Sequence, residues 1–275
     1  MTGLHTSPSP LIDIGVNLSN TRFEKDLEVI LRRAQQANVS QLILTGTSEQ
    51  ESETVFALTQ KWAEDFPNML FSTCGVHPHD AKHFNGDTLN HLKALADNSS
   101  VVAIGETGLD FNRNFSTPKD QEKAFEAQLE LAAELQLPVF IHERDAHQRQ
   151  FEILKQYRDH LVDGVIHCFT GDKTALFNYL DIDLHIGITG WICDERRGLE
   201  LQRLIKNIPL HRLMLETDAP YLTPRTITPK PKGGRNEPAF LPWVLDGIAE
   251  HRNESALEIA EKTTAATATF FRIHS

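Results

Sequence analysis

Residues 138–169 read PVFIHERDAHQRQFEILKQYRDHLVDGVIHCF and contain the repeating unit from which the fold is predicted. Two short apolar runs, 138–142 and 164–169, flank a longer segment whose apolar residues recur at spacings of three and four. Such runs are typical of buried parallel strands, and such spacing is typical of an amphipathic helix. The stretch therefore predicts a strand–helix–strand unit with His142 and His167 near the ends of its two strands.

The same alternation extends along the rest of the chain. Strands are predicted at residues 11–17, 41–47, 69–76, 101–109, 138–142, 164–169, 185–190 and 212–217. The intervening helices include 23–37, 118–137 and 194–207. Eight such units without a linker or low-complexity segment predict one α/β domain, a TIM-like (β/α)8 barrel over residues 11–275, preceded by a flexible N-terminal extension of residues 1–10.

The composition limits the kinds of partner. Of the 275 residues, 40% are hydrophobic and 24% are charged, which is typical of a folded globular protein. Lys and Arg total 27 against 38 Asp and Glu, giving a formal net charge of −11. That charge argues against a protein whose whole surface binds nucleic acid, although it leaves room for a local basic patch.

Cysteine content and hydropathy indicate the compartment. The chain has three cysteines, Cys74, Cys168 and Cys193, and no Cys-x-x-Cys pair, which argues against a disulfide framework and against a thiolate zinc site. The first ten residues lack the features of a secretory signal, and no stretch reaches the roughly 20 apolar residues of a membrane span. We therefore expect a cytoplasmic protein with no membrane partner, and a monomer because no apolar surface stripe is evident.

Polar residues lie at the carboxyl ends of the predicted strands, where barrel enzymes carry their chemistry. They are Asp13, His77, His79, Glu106, His142, His167 and Asp218. A single histidine is more often structural or exposed than functional, but the barrel would aim this whole group at one point. Convergent His, Asp and Glu side chains bind divalent metals, and the predicted ligands are Glu106, His142, His167 and Asp218.

The predicted site is catalytic rather than structural. Histidines combined with carboxylates leave coordination positions for water and substrate, and a carboxylate such as Glu106 can bridge a pair of ions. Asp218 is predicted either as a ligand or as the general base that accepts the proton of an attacking water. His77 precedes a proline that restricts its backbone, and we expect it to contact a phosphate or leaving group. Glu106, Asp218 and His77 are therefore the predicted catalytic residues, whereas His79 is expected at the loop surface.

A basic loop leaves the barrel directly after Asp218. Residues 221–238, YLTPRTITPKPKGGRNEP, contain Arg225, Lys230, Lys232 and Arg235. Cations above the mouth of the barrel would attract a negatively charged substrate, so these four residues are predicted to bind phosphate or nucleic acid. The alternative is a solvated loop that balances an acidic protein. The DERR segment at 194–197 could likewise contact phosphate through its arginines or be solvated. The favoured interpretation is a helix start capped by Asp194 with both arginines in solvent.

Several longer motifs resemble those of a known family. They are DIGVNL, GVHPHD, IGETGLDFNRNFSTP, PVFIHERDAH, HCFTG, ITGWICDERRG, ETDAPYLTPR and RNEP. Together they span the chain from residue 11 to about residue 271 and resemble the TatD family of metal-dependent deoxyribonucleases, most closely its bacterial members. The resemblance implies a barrel of the metallo-dependent hydrolase type. It also implies a magnesium-dependent 3′–5′ exonuclease of single-stranded DNA, with RNA as a second candidate substrate and a role in DNA repair or nucleic-acid turnover.

Matching motifs assign the family's metal ligands to Glu106, His142, His167 and Asp218, and an active-site histidine near the scissile phosphate to His77. One departure is that many relatives open with Asp-x-His-x-His, whereas here Asp13 is followed by Gly15 and Asn17. We therefore predict one firmly held ion and a second, weaker site of Glu106 and Asp218, with oxygen from Asp13 or Asn17. Mg²⁺ is the predicted working metal, although Mn²⁺ or Zn²⁺ can occupy such a site.

Two other functions remain open at this stage. A metal-dependent hydrolase of a small amide, ester or D-aminoacyl substrate would use the same barrel and would not depend on the cations of the basic loop. Loss of the strand-1 histidines would also be compatible with a metal-binding or nucleic-acid-binding protein without catalysis. The nuclease interpretation further expects base stacking by aromatic residues near strand ends, for which core packing is the alternative. The candidates are Phe111, Phe115, Trp191 and Tyr221.

Overall fold

The computed structural model describes residues 4–273 and contains a parallel eight-stranded sheet in the sequential order β1 to β8. The strands are β1 Leu11–Val16, β2 Val39–Leu44, β3 Leu70–Cys74, β4 Val101–Asp110, β5 Val139–Arg144, β6 Gly164–Ile166, β7 His185–Ile188 and β8 Leu213–Leu215. Each overlaps one predicted strand. The prediction of a TIM-like (β/α)8 barrel is confirmed.

Helices follow the strands along the chain. They are α1 Leu27–Gln36, α2 Glu49–Lys61, α3 Gly86–Ala96, α4 Pro118–Leu135, α5 His147–Tyr157, α6 Lys173–Asp181, α7 Leu199–Leu204, α8 Leu241–Ala249 and α9 Ala256–Phe271. The predicted helix at 194–207 begins later than expected, because the Asp194 carboxylate accepts the backbone N–H groups of Arg196 and Arg197 and forms a turn there. No helix within residues 4–273 is long and apolar enough to span a membrane.

The interior of the barrel is apolar below the strand ends. One buried cluster draws its members from six strands and from the C-terminal segment: Ile12, Ile14, Ile43, Val102, Ala103, Phe140, Val165, Met214, Phe270, Phe271 and Ile273. Residues of so many strands can meet only inside the barrel. The Phe140 ring stacks on the His167 ring with centroids 4.7 Å apart, so the apolar interior forms the floor under a predicted metal ligand.

The first and last strands meet through a seam that involves a buried side chain. The fully buried Asp13 carboxylate accepts hydrogen bonds from the Thr217 N–H at 2.9 Å and the Thr217 hydroxyl at 2.5 Å. Backbone bonds continue the seam, since the Asp218 N–H donates to the Gly15 carbonyl and the Asn17 N–H donates to the Ala219 carbonyl. Both Asp13 oxygens are therefore engaged in closing the barrel, which does not favour the alternative in which Asp13 supplies oxygen to a metal.

The described part of the N-terminal extension packs against the barrel. The Ser7 N–H donates to the Ala37 carbonyl, and His5 Nε2 lies 2.7 Å from a carboxylate oxygen of Asp246. His5 and Ser7 of the predicted N-terminal extension thus contact the barrel, and the flexibility of residues 1–10 stays a prediction. Residues 1–3 lie outside the described part of the chain.

We predict that Asp13→Ala lowers the free energy of unfolding by about 3 kcal/mol, because it removes an acceptor for several buried donors. Burial raises the pKa of Asp13 from 3.8 to about 7, against the opposing effect of its hydrogen bonds. The stability that Asp13 contributes is therefore greatest at acid pH and is lost as the pH rises toward about 7. Urea unfolding should accordingly show a larger difference between the wild type and Asp13→Ala at pH 5 than at pH 8.

The control for that experiment is Asp97→Ala, since Asp97 is exposed just after α3. We expect this variant to unfold like the wild type at both pH values. An Asp13→Ala protein with the stability of the control would contradict a role for Asp13 in the seam.

Candidate metal centre

A cavity of about 710 Å³ opens at the carboxyl ends of the strands and contains most of the predicted site. Its walls include the predicted residues His77, Glu106, His142, His167 and Asp218. His79 also lines it, with its side chain 28% exposed, although it was expected at the loop surface. The convergence follows from the parallel barrel, because strands that run in one direction bring their carboxyl ends to a common mouth.

Glu106 on β4 lies at the centre of the cluster. Its Oε1 atom is 2.7 Å from Nε2 of His167, 2.9 Å from Nδ1 of His142 and 3.4 Å from Nε2 of His77. The Glu106 residue is only 6% exposed, and its backbone N–H donates to the Gly46 carbonyl in the loop after β2. A single carboxylate oxygen is thus within contact distance of imidazoles from three other parts of the chain.

These residues fit a divalent metal ion. His77, Glu106 and His142 each offer a ligand atom, and the three atoms lie within 4.8 Å of one another. His142 Nε2 is buried without a hydrogen-bond partner among the described residues, with the Asp110 carboxylate at 3.5 Å. Imidazole nitrogen combined with carboxylate oxygen is a donor set for divalent metals. The geometry therefore adds His77 to the candidate ligands.

The charges of the cluster are strongly coupled. Burial opposes ionisation of Glu106, but the His167 and His77 imidazoles and the hydrogen bond from His142 hold the pKa of Glu106 well below its usual range. Burial also opposes protonation of His167, yet the Glu106 and Glu216 carboxylates raise the pKa of His167 well above its usual value. Burial lowers the pKa of His77 to about 3. A metal ion must displace any proton from an imidazole ligand, so its binding would release protons.

Asp218 follows β8 and lines the same cavity as Glu106. The Asn17 side-chain amide donates a hydrogen bond of 3.0 Å to Asp218 Oδ1 across the seam. Burial raises the pKa of Asp218 to about 7, with contributions from the Glu216 and Glu106 carboxylates and an opposing one from His167. A carboxyl group with such a pKa can exchange a proton near neutral pH.

The sequence reasoning missed two buried carboxylates. Glu216 is fully buried, lies 3.3 Å from His167 Nδ1 and accepts the Cys168 N–H. Asp110 Oδ2 lies 2.8 Å from His79 Nε2, on the side of the His142 ring away from Glu106. The available signal was spacing: Glu216 lies two residues before Asp218 and Asp110 lies four after Glu106, and even spacing favours one face of a strand.

Glycines make room for the Glu216 carboxylate. A Cβ atom at Gly15 on β1 would lie 2.6 Å from one Glu216 oxygen, and a Cβ at Gly187 on β7 would lie 2.7 Å from the other. A larger side chain at either position would require Glu216 to move. Many relatives are expected to carry histidine at position 15. In this chain the glycine at that position leaves the space that the Glu216 carboxylate occupies.

Two of the four basic loop residues form ion pairs, and the other two are exposed. Arg225 forms a two-bond ion pair with Glu195, with both bonds at 2.8 Å, and Arg235 forms one with Asp26 at 2.6 and 2.9 Å. Lys230 and Lys232 are exposed. Within residues 4–273 the cavity is lined by none of these four cations; its cations are Arg113, Arg144 and Arg197. Phosphate binding by the loop residues stays a prediction.

Comparison with known proteins agrees with this architecture. The family described as TatD related DNase matches residues 12–272 of the chain. The chain belongs to the TatD family. A protein named 3′-5′ ssDNA/RNA exonuclease TatD from Pectobacterium parmentieri is 51% identical over 96% of this chain and 100% of its own length. One of the same name from Salmonella typhimurium is 48% identical over 96% of this chain and 99% of its own length.

Solved structures show the same fold. The crystal structure of a TatD homologue from Escherichia coli has a TM-score of 0.86 and 29% identity, covering 96% of this chain and 98% of that one. A TatD family hydrolase from Entamoeba histolytica has a TM-score of 0.87 and 25% identity, covering 97% of this chain and 98% of that one. The predicted membership of the TatD family, and the resemblance to its bacterial members, is confirmed.

We predict that Glu106→Gln abolishes tight binding of a divalent metal, because the variant loses the negative charge at the centre of the imidazoles. Glu216→Gln should weaken binding by about 10- to 100-fold, because Glu216 orients His167. Titration calorimetry with Mn²⁺ measures both effects, and running it in buffers of different ionisation enthalpy measures the protons released.

Glu250→Gln is the matched control, since Glu250 is exposed at the end of α8. It should bind Mn²⁺ like the wild type. Wild-type affinity in Glu106→Gln would show that the metal is held elsewhere.

Proposed function

We propose that this TatD family member is a magnesium-dependent 3′–5′ exonuclease that hydrolyses phosphodiester bonds of single-stranded DNA and also of RNA. The observation that carries the proposal is the buried Glu106 carboxylate among His77, His142 and His167, in a cavity that Asp218 also lines. The names of the similar bacterial exonucleases support the substrate and the direction. We further propose that it acts as a monomer in the cytoplasm, in DNA repair or nucleic-acid turnover.

A divalent metal in this site would neutralise phosphate charge and lower the pKa of a bound water. Glu106 and His142, with His77 or His167, would hold the first ion. Glu106 and Asp218, with the Asn17 oxygen, would hold a second ion more weakly, which is consistent with the hydrogen bond between Asn17 and Asp218. Oxygen-rich, sparsely ligated sites suit Mg²⁺, whereas the nitrogen-rich one also suits Mn²⁺ or Zn²⁺.

The protein's own residues suggest how the proton transfers are divided. Asp218, with a pKa of about 7, can accept the proton of the attacking water. His77 is a poor proton donor, since burial lowers its pKa to about 3 and leaves the imidazole neutral. Its proposed role is therefore to contact the metal or the scissile phosphate rather than to protonate the leaving oxygen.

The cavity arginines offer a local field that opposes the net charge of −11. Arg113 and Arg144 follow β4 and end β5 respectively, and both line the cavity and are exposed. Guanidinium groups bind phosphate oxygens well. We propose that they contact the backbone of the strand near the scissile bond, while Lys230 and Lys232 contact it farther from the mouth.

The nuclease proposal predicts stepwise shortening of 5′-labelled single-stranded DNA from its 3′ end in the presence of Mg²⁺. RNA should be shortened too, and a matched duplex should be degraded much more slowly. Glu106→Ala should lose activity by at least about 10³-fold, because it removes the carboxylate common to both proposed metal sites. Denaturing gels with the wild type and Glu106→Ala measure these rates.

Each alternative outcome has a clear meaning. Equal activity in the wild type and Glu106→Ala would show that the site is misassigned or that the activity is a contaminant. No cleavage by the wild type with Mg²⁺ or Mn²⁺ would contradict the nuclease proposal and direct attention to small amide, ester or D-aminoacyl substrates.

Salt dependence tests which cations contact phosphate. Replacing Arg113 and Arg144 by Met should weaken binding of single-stranded DNA and reduce the slope of log affinity against log salt by about 0.7 for each lost contact. The paired Lys230→Met and Lys232→Met variant should have a smaller effect, because these lysines lie outside the cavity. Fluorescence anisotropy over a salt series gives the slopes. A larger loss in the lysine variant would assign the main phosphate contacts to the loop.

A further inference from the structure

A tryptophan and an arginine lie against each other on the cavity wall, in the loop after β7. Trp191 lies in the short 3-10 turn Gly190–Cys193, and the Arg197 guanidinium carbon is 4.4 Å from the centre of its ring. The Trp191 indole N–H also donates to the Arg197 carbonyl at 3.1 Å. Both side chains line the cavity that contains Glu106 and Asp218. The pair, which we call the Trp191–Arg197 platform, is thus part of the same site.

Asp194 fixes the orientation of the guanidinium. Its buried carboxylate accepts the backbone N–H groups of Arg196 and Arg197, both at 3.0 Å. The other carboxylate oxygen lies 2.9 Å from Nε and 2.9 Å from Nη2 of Arg197. One edge of the guanidinium is therefore occupied and one face is covered by indole. The Arg197 side chain is nevertheless 60% exposed, so its opposite face is open to the cavity.

Contacts with the next loop hold the turn in place. A Cβ atom at Gly190 would lie 2.2 Å from the Leu222 carbonyl oxygen, so the loops after β7 and β8 touch at a point that only glycine permits. Glu195, next to Asp194, forms the two-bond ion pair with Arg225 of the basic loop. Arg225 thereby braces the segment that carries the platform.

We infer that the open face of Arg197, backed by Trp191, stacks on one nucleobase of the strand being degraded. The inference rests on the proposed nuclease function and adds base stacking as the way the site holds a single strand. A guanidinium whose Nε and Nη2 already face a carboxylate is poorly placed to clamp a phosphate, but its planar face remains free. Planar cationic and aromatic side chains are the usual platforms for single-stranded bases.

Two properties of the enzyme follow from the platform. Every base has a π-face, so stacking holds strands of any sequence. A base within a duplex is already stacked on its neighbours and paired, so it must be freed before it can reach Arg197. The platform therefore favours binding of single strands over duplex, whatever the nucleotide sequence.

The test uses single-stranded DNAs that differ only by one abasic residue, placed at successive positions from the 3′ end. For the wild type with Mg²⁺, kcat/KM should fall about 5- to 100-fold for the abasic residue at one position and little at the others. Trp191→Ala and Arg197→Lys should degrade the strand without an abasic residue more slowly than the wild type does. In these variants an abasic residue at that position should cause no further fall in kcat/KM. Arg197→Lys keeps the charge but removes the planar face, so it separates stacking from electrostatics.

Arg203→Lys is the matched control, because Arg203 is exposed on α7 and pairs with Glu200 outside the cavity. It should retain the wild-type sensitivity to the abasic residue. Circular dichroism and Mn²⁺ binding establish that the platform variants are folded and keep the metal site.

Binding measurements separate this inference from the nuclease proposal. Strands with cleavage-resistant phosphorothioate linkages at the 3′ end allow anisotropy measurements with Mg²⁺, and the affinity should show the same dependence on one base. Base-dependent binding without cleavage of ordinary strands would support the platform and contradict the nuclease proposal. The platform would be overturned if its variants reduced cleavage or binding equally for strands with and without the abasic residue. It would also be overturned if no strand bound measurably.

Discussion

The contact between Asp13 and Thr217 is the interaction on which the arrangement of the site depends. The first and last strands of the sheet are joined by this buried carboxylate and by a few backbone bonds beyond it. Closure brings Asn17 next to Asp218, which lines the same cavity as Glu106. Without that seam the sheet would stay open, and the carboxyl ends of its strands would not surround one cavity.

The second constraint is the free-energy cost of burying charged groups, and pairing with groups of opposite charge reduces that cost. Isolated ions are costly to remove from water, but Glu106 is surrounded by imidazoles and Glu216 is paired with His167. The space for Glu216 exists because residues 15 and 187 are glycines. A histidine at position 15 would therefore meet the Glu216 carboxylate in this structure.

The mouth of the cavity combines arginines with a partly exposed tryptophan on an otherwise acidic protein. Arg113 and Arg144 lie on one part of the wall, and the Trp191–Arg197 platform lies on another. The basic loop contributes indirectly, because Arg225 holds Glu195 beside the platform. The side chains proposed for metal, phosphate and base contacts therefore lie on different loops around one cavity.

The strand order and the candidate ligands could be predicted from the sequence, because strand patterning is local and parallel strands place their polar ends together. Tertiary structure alone decided which charges are paired. Arg225 and Glu195 are 30 residues apart, and Arg235 and Asp26 are 209 apart, so local patterning carries no signal for either pair. The same holds for Asp13, whose spacing resembles that of a ligand but whose oxygens meet Thr217 only once the barrel has closed.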